Sequence, residues 1–388
     1  MFPVTTALRV RSDAAASAIT VGCIDDRWGF TLLRPEWNEL LRASAADCPF
    51  LTWEWMHAWW KHLGDPSSLR IVTVRAGQEL IAIAPLRESA ARVKWFSTLA
   101  FLGTGEAGSD YLDLIVRSGR EAEATAALAQ FATSHHTTLR LDHLPPTSMA
   151  GELARQLSAE GWASVSAADG TCPFIPLAGQ TWDSYLATVG SAHRANVRRR
   201  LRGLEQKFTT RFEQVTAEPE RREALDALAR FHDRRYVSRG GSTAFSSPAL
   251  RAFHDEVTQR GIDRGWMRLY VLRLNDELAA VMYGFAYNRK FYFYQHGYDE
   301  QYQQHSIGLA LMALTIRTAI DEGLQEFDFL WGVEGYKSLW SRDARTLRRM
   351  QLYPAGLGGR LHRHATEARR QVRTLARRVI PRGDAGVA

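Results

Sequence analysis

Cysteine is scarce: Cys23, Cys48 and Cys172 are the only three in 388 residues. Their spacing gives no C-x-x-C pair and no metal-binding set, and an odd number closes no disulfide framework. Buried, reduced thiols in a cytosolic protein are expected, with no metal. Long hydrophobic runs are missing too. No stretch reaches membrane-spanning length, and the opening residues lack an apolar run of signal-peptide length, so a cytoplasmic chain is expected. Neither a Walker loop nor a nucleophile elbow occurs. Gly103 to Gly108 spell GxGxxG, but a dinucleotide site needs a helix directly after it. Residues 109–116 read as a strand instead, so the glycines mark a turn. Lysine is the last shortage. Only Lys61, Lys94, Lys207, Lys290 and Lys337 stand against 44 arginines.

What is present is globular: 45% hydrophobic and 23% charged residues, with a length that favours two domains. The formal net charge is +7. Residues 356–388 hold eight arginines and two acids, a balance of +6, so the rest of the chain is close to neutral at +1. The basic character therefore belongs to a tail and does not argue for a nucleic-acid-binding body. The arginines between Arg194 and Arg202 read as a solvated helix face. Arg194 falls in that helix's first turn, where a cation opposes the helix dipole. That placement makes it a candidate substrate contact.

Along the chain, residues 1–29 read as a flexible lead-in with one strand at 18–23. Pro35 opens a helix, and Thr52 caps a second in which Trp55, Met56, Trp59, Trp60 and Leu63 form a core stripe. A hairpin turns at Gly77, a strand runs over 95–102, a helix over 121–134 and a strand over 138–142. In the second half, Thr181 and Ser191 cap two helices. A strand follows at 208–216, a helix at 221–236, a Gly/Ser loop at 238–247 and a helix at 249–260. Strands at 266–274, 277–287 and 291–295 come next, then a helix at 308–321 and a strand at 326–330. An internal repeat links the halves: Arg75, Glu79, Leu80 and Ala82 match Arg273, Glu277, Leu278 and Ala280 at one offset of 198. The expected class is α/β (α+β), with two tandem mixed sheets flanked by helices. The expected domains are 30–175, 176–355 and a basic amphipathic helical tail at 356–388. In that tail Leu361, Ala365, Ala368, Val372, Leu375 and Val379 form one apolar stripe. Such a helix suits an anionic membrane surface, a partner protein or the chain's own body.

The organising stretch runs from Phe291 to Lys337. Strand, small-residue turn and helix follow in order, and the turn reads His305-Ser306-Ile307-Gly308-Leu309-Ala310. A helix opening there leaves backbone N–H groups for an anion. The hexad resembles the pyrophosphate-binding signature of the GNAT acyltransferase superfamily, with His305 in place of the usual Gln or Arg. The whole run, ending in Asp328, Trp331, Glu334, Tyr336 and Lys337, resembles the CelD-like acetyltransferase family associated with bacterial cellulose synthesis. It covers roughly residues 194–353 and, more loosely, 50–142. The resemblance implies two tandem GNAT-like halves related to Fem-type transferases, the first degenerate for cofactor binding. It implies acetyl-CoA or another acyl-CoA as co-substrate between the strands, along Tyr294 and Gln295, with its pyrophosphate on the 306–310 opening. CelD-like proteins often carry a Gly…Ser-Asp-Tyr stretch, so Asp110 and Tyr111 join Trp331 as acceptor contacts.

Direct acyl transfer to an amine needs a base, an oxyanion donor and a proton for the leaving thiolate. Glu334, Asp328 and His305 are the candidate bases, though Asp328 reads equally as a strand-end turn residue. Where arginine is the default cation, Lys337 suggests a need for a compact charge. Fem-type peptidyltransferases use a lysine in this region, so Lys337 is assigned to the oxyanion or a substrate phosphate, and Tyr336 to protonating the thiolate. A Tyr-Lys pair that merely closes a helix start is the alternative. The expected function is an acyl-CoA-dependent N- or O-acyltransferase acting on a small or polymer-linked sugar acceptor in envelope or exopolysaccharide synthesis. Its tail would touch the inner membrane or a polysaccharide synthase. A Fem-like aminoacyl or peptidyl transferase, and a non-catalytic partner of a membrane polysaccharide synthase, stand as alternatives.

Overall fold

The computed structural model describes residues 18–89, 97–239 and 245–379. The chain begins with β1 (Ile19–Ile24), α1 (Arg27–Leu32) and α2 (Arg34–Arg42), whose second residue is Pro35. Thr52 caps α3 (Trp53–Leu63), its hydroxyl accepting the Trp55 N–H. A hairpin follows, β2 (Leu69–Ala76) and β3 (Glu79–Ser89), turning at Gly77 with φ 60. The half continues with β4 (Thr98–Phe101), β5 (Ile115–Val116), α4 (Glu121–His135), β6 (Thr138–Leu144), α5 (Met149–Ala159) and β7 (Ala163–Pro176).

The second half opens with α6 (Trp182–Thr188), α7 (Ser191–Lys207), β8 (Thr210–Gln214), α8 (Glu218–Arg239) and α9 (Pro248–Asp263). Its hairpin is β9 (Met267–Leu274) and β10 (Glu277–Tyr287). Asn275 and Asp276 turn it with φ 50 and 69, the left-handed pair of a type I′ turn. Each end of this hairpin lies 198 residues beyond its counterpart in the first (267 − 69, 287 − 89), so the short repeat in the sequence marks a repeated unit. Then come β11 (Lys290–Tyr298), α10 (Ile307–Asp321), β12 (Glu326–Asp328), α11 (Lys337–Trp340), β13 (Asp343–Tyr353) and α12 (Leu357–Val379).

The expected pair of sheets is merged into one 13-stranded sheet, in the order β1-β2-β3-β4-β6-β13-β7-β12-β11-β10-β9-β8, with β5 on β3. The merging comes from an exchange of last strands. β13 pairs Leu352 to Arg348 with Leu139 to Leu144 of β6, in the first half. β7 pairs Phe174 to Pro176 with Asp328 to Glu326 of β12, in the second. The two exchanged strands pair with each other along Asp343–Tyr353. The halves therefore share backbone hydrogen bonds, and the expected boundary at 175 falls inside β7.

Aromatic rings close the seam. The ring of Phe50 lies 5.0 Å from Trp55 and 6.0 Å from both Phe285 and Tyr292, and Trp55 lies 5.0 Å from Phe253. Phe50, Trp55, Phe253 and Phe285 are fully buried, each such side chain contributing roughly 1.5–3 kcal/mol. A second core lies on the opposite face of β9–β12, where Val197 and Leu204 of α7 meet Leu311 and Ile316 of α10.

Three expectations need correction. The strand expected at 18–23 is β1, which pairs with β2 from Ile19↔Ala76 to Ile24↔Ile71, but the lead-in does not reach residue 29, since α1 already begins at Arg27. Of the strand expected at 109–116, only Ile115–Val116 is extended. Tyr111 is left-handed (φ 58), and the buried Asp113 carboxylate accepts the N–H groups of Leu114, Met149 and Ala150, which folds the chain back on itself. Ser191 is the first residue of α7 rather than its cap; Gly190 takes that place with no side-chain bond. The loop at 238–247 falls partly outside the described residues, as do 1–17 of the lead-in and 380–388 of the tail. Among its described side chains, the tail helix docks through His362. His362 Nδ1 lies 2.8 Å from the Thr138 hydroxyl, and its ring lies 5.6 Å from Tyr353. Leu357 and Leu361 remain 77% and 63% exposed.

Candidate functional site

β11 and β12 run parallel for three pairs, Lys290↔Glu326, Phe291↔Phe327 and Tyr292↔Asp328. β12 then stops, while β11 continues to Tyr298. The two strands part into a V. At the mouth β11 carries a bulge: Gln295 faces Tyr283 and Phe293 faces Gly284, so Tyr294 has no opposite residue on β10. A bulged residue leaves backbone groups outside the ladder, available to a ligand.

The V opens into a cleft of about 590 Å³. The second half lines it with Phe293 to Tyr298, Phe329 to Trp331, and Glu334, Tyr336 and Lys337. The first half supplies the glycine turn from Gly105 to Gly108, with Asp110 and His143. The turn is tied down by the Tyr294 hydroxyl, which donates to Ala107 O at 2.6 Å.

Lys337 is nearly buried. Its ammonium donates to Trp331 O (3.1 Å) and Gly332 O (3.5 Å) and meets the Glu334 carboxylate at 2.8 Å. Three acceptors match the three donors of a lysine. Lys337 thus clamps the loop after the V while lining the cleft. Trp331 is held at four points. Its N–H donates to Asp110 (2.7 Å), its indole N–H to Asp169 O (3.0 Å), its carbonyl accepts Lys337, and its ring covers Gly170. A Cβ on Gly170 would stand 1.8 Å from the indole nitrogen, so glycine is required for this packing. The indole remains 55% exposed.

The sequence-derived candidates separate into two groups. Lys337, Tyr336, Glu334, Tyr294, Gln295, Asp110 and Trp331 converge on the cleft. The others do not line it. Asp328 is completely buried; it accepts the Tyr111 hydroxyl at 2.5 Å and the Leu330 N–H at 2.7 Å, with Arg345 at 3.5 Å. Burial pushes its pKa up to about 6, while the Tyr111 bond and Arg345 pull the other way. Asp328 and Tyr111 therefore bridge the two halves beneath the site, which corrects their roles as base and acceptor contact. Arg194 donates to Leu186 O and Ala187 O at 3.4 and 3.3 Å, completing the C-terminal end of α6. Those carbonyls account for a cation in the first turn of α7 and correct its substrate role.

The helix opening is likewise set back. The His305 ring packs edge-on to Phe208 at 5.1 Å, Ile307 and Ala310 are buried in the core, and Ser306, Gly308 and Leu309 are half-buried. His305 is thus no base in the cleft. Tyr298, Glu300 and Gln303 line the end of the cleft that leads toward this turn. Gly308 faces the Tyr298 ring, where a Cβ would approach to 3.0 Å. On the outer side Arg200 donates to Gln304 O at 3.3 Å, placing a cation beside the turn.

His143, His232, His296, Glu106, Glu300 and Gln303 also line the cleft and were not singled out from sequence. His296 gave no readable signal, because the bulge at Tyr294 breaks the strand alternation and turns His296 onto the Phe293 face, 5.1 Å from that ring. Among the described residues no group of three His, Cys, Asp or Glu could hold a metal ion, and no helix is long and apolar enough to cross a membrane.

Residues 191–338 match an acetyltransferase (GNAT) domain family, so the second half carries a GNAT-type acyltransferase domain. Such domains take an acyl-CoA as co-substrate. Among solved structures, FemX is similar over 85% of this chain and 97% of its own, with 11% identity and a TM-score of 0.61. The C-terminal domain of a putative lysylphosphatidylglycerol synthetase from Agrobacterium fabrum is similar over 83% and 92%, with 9% identity and a TM-score of 0.51. A conserved protein of unknown function from Bacteroides thetaiotaomicron reaches the same TM-score at 11% identity, over 82% and 97%. These likenesses concern the fold. No curated protein matches the chain.

Proposed function

We propose that the protein transfers an acyl group from acetyl-CoA or another acyl-CoA to an amine or hydroxyl of an acceptor held between the two halves. The observation that carries this reading is the V between β11 and β12, which opens into a cleft that the first half walls on its other side. The thioester would lie along Phe293 to Gln295, with unpaired backbone at the Tyr294 bulge facing the developing oxyanion. The pyrophosphate would reach the α10 opening past Tyr298, where helix N–H groups and Arg200 favour an anion. Titration of the full chain with acetyl-CoA tests this. Saturable binding is the expected result, and its absence would sink the reading.

The acceptor is proposed to be a sugar or sugar-linked group in envelope or exopolysaccharide synthesis. Support comes from Trp331, whose fixed and exposed indole offers a flat apolar face for a sugar ring. A second reading is Fem-like aminoacyl or peptidyl transfer. It draws on the set-back helix opening, none of whose residues from His305 to Ala310 lines the cleft.

A cytoplasmic enzyme touching the inner membrane or a synthase through its tail completes the proposal. Leu357, Leu361, Ala365 and Ala368 are exposed on α12, beside Arg360 and Arg363. Deleting residues 356–388 removes six of the seven net positive charges. It is expected to weaken binding to anionic vesicles by orders of magnitude, since each basic residue near the surface contributes about 1 kcal/mol, roughly fivefold. The thermal midpoint should fall only by what the His362 contacts contribute. Unchanged vesicle binding would rule the anchor out.

A further inference from the structure

His143 closes β6 in the first half with a left-handed backbone, φ 59, a conformation that non-glycine residues seldom adopt and that clusters at functional sites. Its N–H donates to Asp169 at 2.9 Å, which fixes the turn. The ring lines the cleft with 26% of its side chain exposed. Nδ1 is buried, with carboxylate oxygens of Asp110 and Asp169 at 3.5 and 3.7 Å. Nε2 is therefore the nitrogen open to the cleft. The same Asp110 carboxylate accepts the Trp331 N–H just beyond the V. One side chain thus positions both the imidazole and the loop bordering the thioester.

We propose that His143, supplied by the half that binds no cofactor, is the general base of the transfer, acting on an amine acceptor. The step rests on the acyltransferase reading above. Nε2 takes a proton from the acceptor's ammonium, and the freed nitrogen lone pair forms the bond to the thioester carbonyl carbon. The carbon–sulfur bond breaks, the new amide nitrogen gives up its extra proton to the departing thiolate, and His143 returns its proton to solvent. Asp110 and Asp169 hold the ring with Nε2 outward and stabilise the imidazolium.

Burial pulls the His143 pKa down, but Asp110, Asp169 and Asp142 outweigh it, and the net shift is upward from the ordinary histidine value. The opposing cations around this group are Arg349, 3.8 Å from Asp169, Arg140, which binds Asp142, and the Lys337 ammonium in the cleft. A base with a raised pKa is protonated at low pH, so activity should climb with pH along a limb centred above about 6.5.

The test uses acetyl-CoA with glucosamine as the probe amine, following thiol release from pH 5 to 9 in the full chain and in His143→Asn. Asparagine tolerates the left-handed backbone and keeps a donor toward Asp110. The variant is expected to lose about a hundredfold or more in kcat/KM. It should also lose the acid limb attributable to the enzyme, while the limb from glucosamine's own amine stays in both profiles. Acetyl-CoA affinity and the thermal midpoint should hold. Activity near that of the parent with the limb retained would overturn the proposal and leave the acyltransferase reading standing. Loss of acetyl-CoA affinity at unchanged kcat would overturn it too, placing His143 in the donor site. No thiol release from the parent, with glucosamine or with water, would overturn the acyltransferase reading and this step with it.

Discussion

A fragment of residues 176–355 is expected to be recovered largely as aggregate and to bind no acetyl-CoA, although it holds every residue of the V. The reason is the exchange of strands. Without the first half, β12 loses β7 as its neighbour, and β13 loses both β6 and β7. β13 then has no partner and β12 becomes an open edge, the kind of surface that seeds association between chains. Phe285, Tyr292 and Tyr294, packed on Phe50 and Trp55 in the whole protein, would face water. Asp328 would lose the Tyr111 hydroxyl and keep only the Leu330 N–H and Arg345 about its carboxylate. Size-exclusion chromatography and acetyl-CoA titration check the expectation, and co-expression with residues 1–175 should restore a soluble complex. A monomeric fragment with the affinity of the full chain would show that the exchange is dispensable.

Lys337→Met is expected to lower turnover by about a hundredfold, roughly 3 kcal/mol of transition-state stabilisation. Methionine keeps the length and removes the charge in a position where the side chain is almost wholly buried. Every ammonium donor is engaged by Trp331 O, Gly332 O or Glu334, and the contact to Gly332 O, at 3.5 Å, is the weakest. The role proposed for Lys337 is to stabilise the developing oxyanion through its fixed positive charge, with the Gly332 contact the one most easily released. Lys337→Arg should rescue little, because a planar fork does not fit three acceptors gathered around a point charge. Steady-state kinetics separates the outcomes. A fall in kcat with the KM for acyl-CoA unchanged supports the role. A rise in acceptor KM with kcat intact would mean that the residue serves only as the clamp on Trp331.

What the sequence revealed followed from local pattern, and what it hid followed from distance along the chain. The two hairpins were legible because alternation and turn chemistry repeat over a few residues, at Gly77 and at Asn275–Asp276. The V was legible because strand, turn, helix and strand follow one another within 291–330. The strand exchange was not, since pairing of Leu352 with Leu139 leaves no trace in either segment's periodicity. Asp328 looked like a base because its burial depends on Tyr111, 217 residues away. Arg194 looked anomalous in its helix because the carbonyls that explain it belong to the preceding one. His143 carried no local signal at all; only the fold sets it between Asp110 and Asp169.

The central claim is that an acyl-CoA occupies the V, with its pyrophosphate on the α10 opening. Calorimetric titration of acetyl-CoA into the full chain and into Gly308→Glu, side by side, tests it most directly. The glutamate would put a carboxylate where the pyrophosphate is placed, while the fold needs only a small shift of the Tyr298 ring. The account predicts one saturable site in the parent and no detectable binding in the variant, with thermal midpoints close together. Equal affinity in both proteins would contradict it.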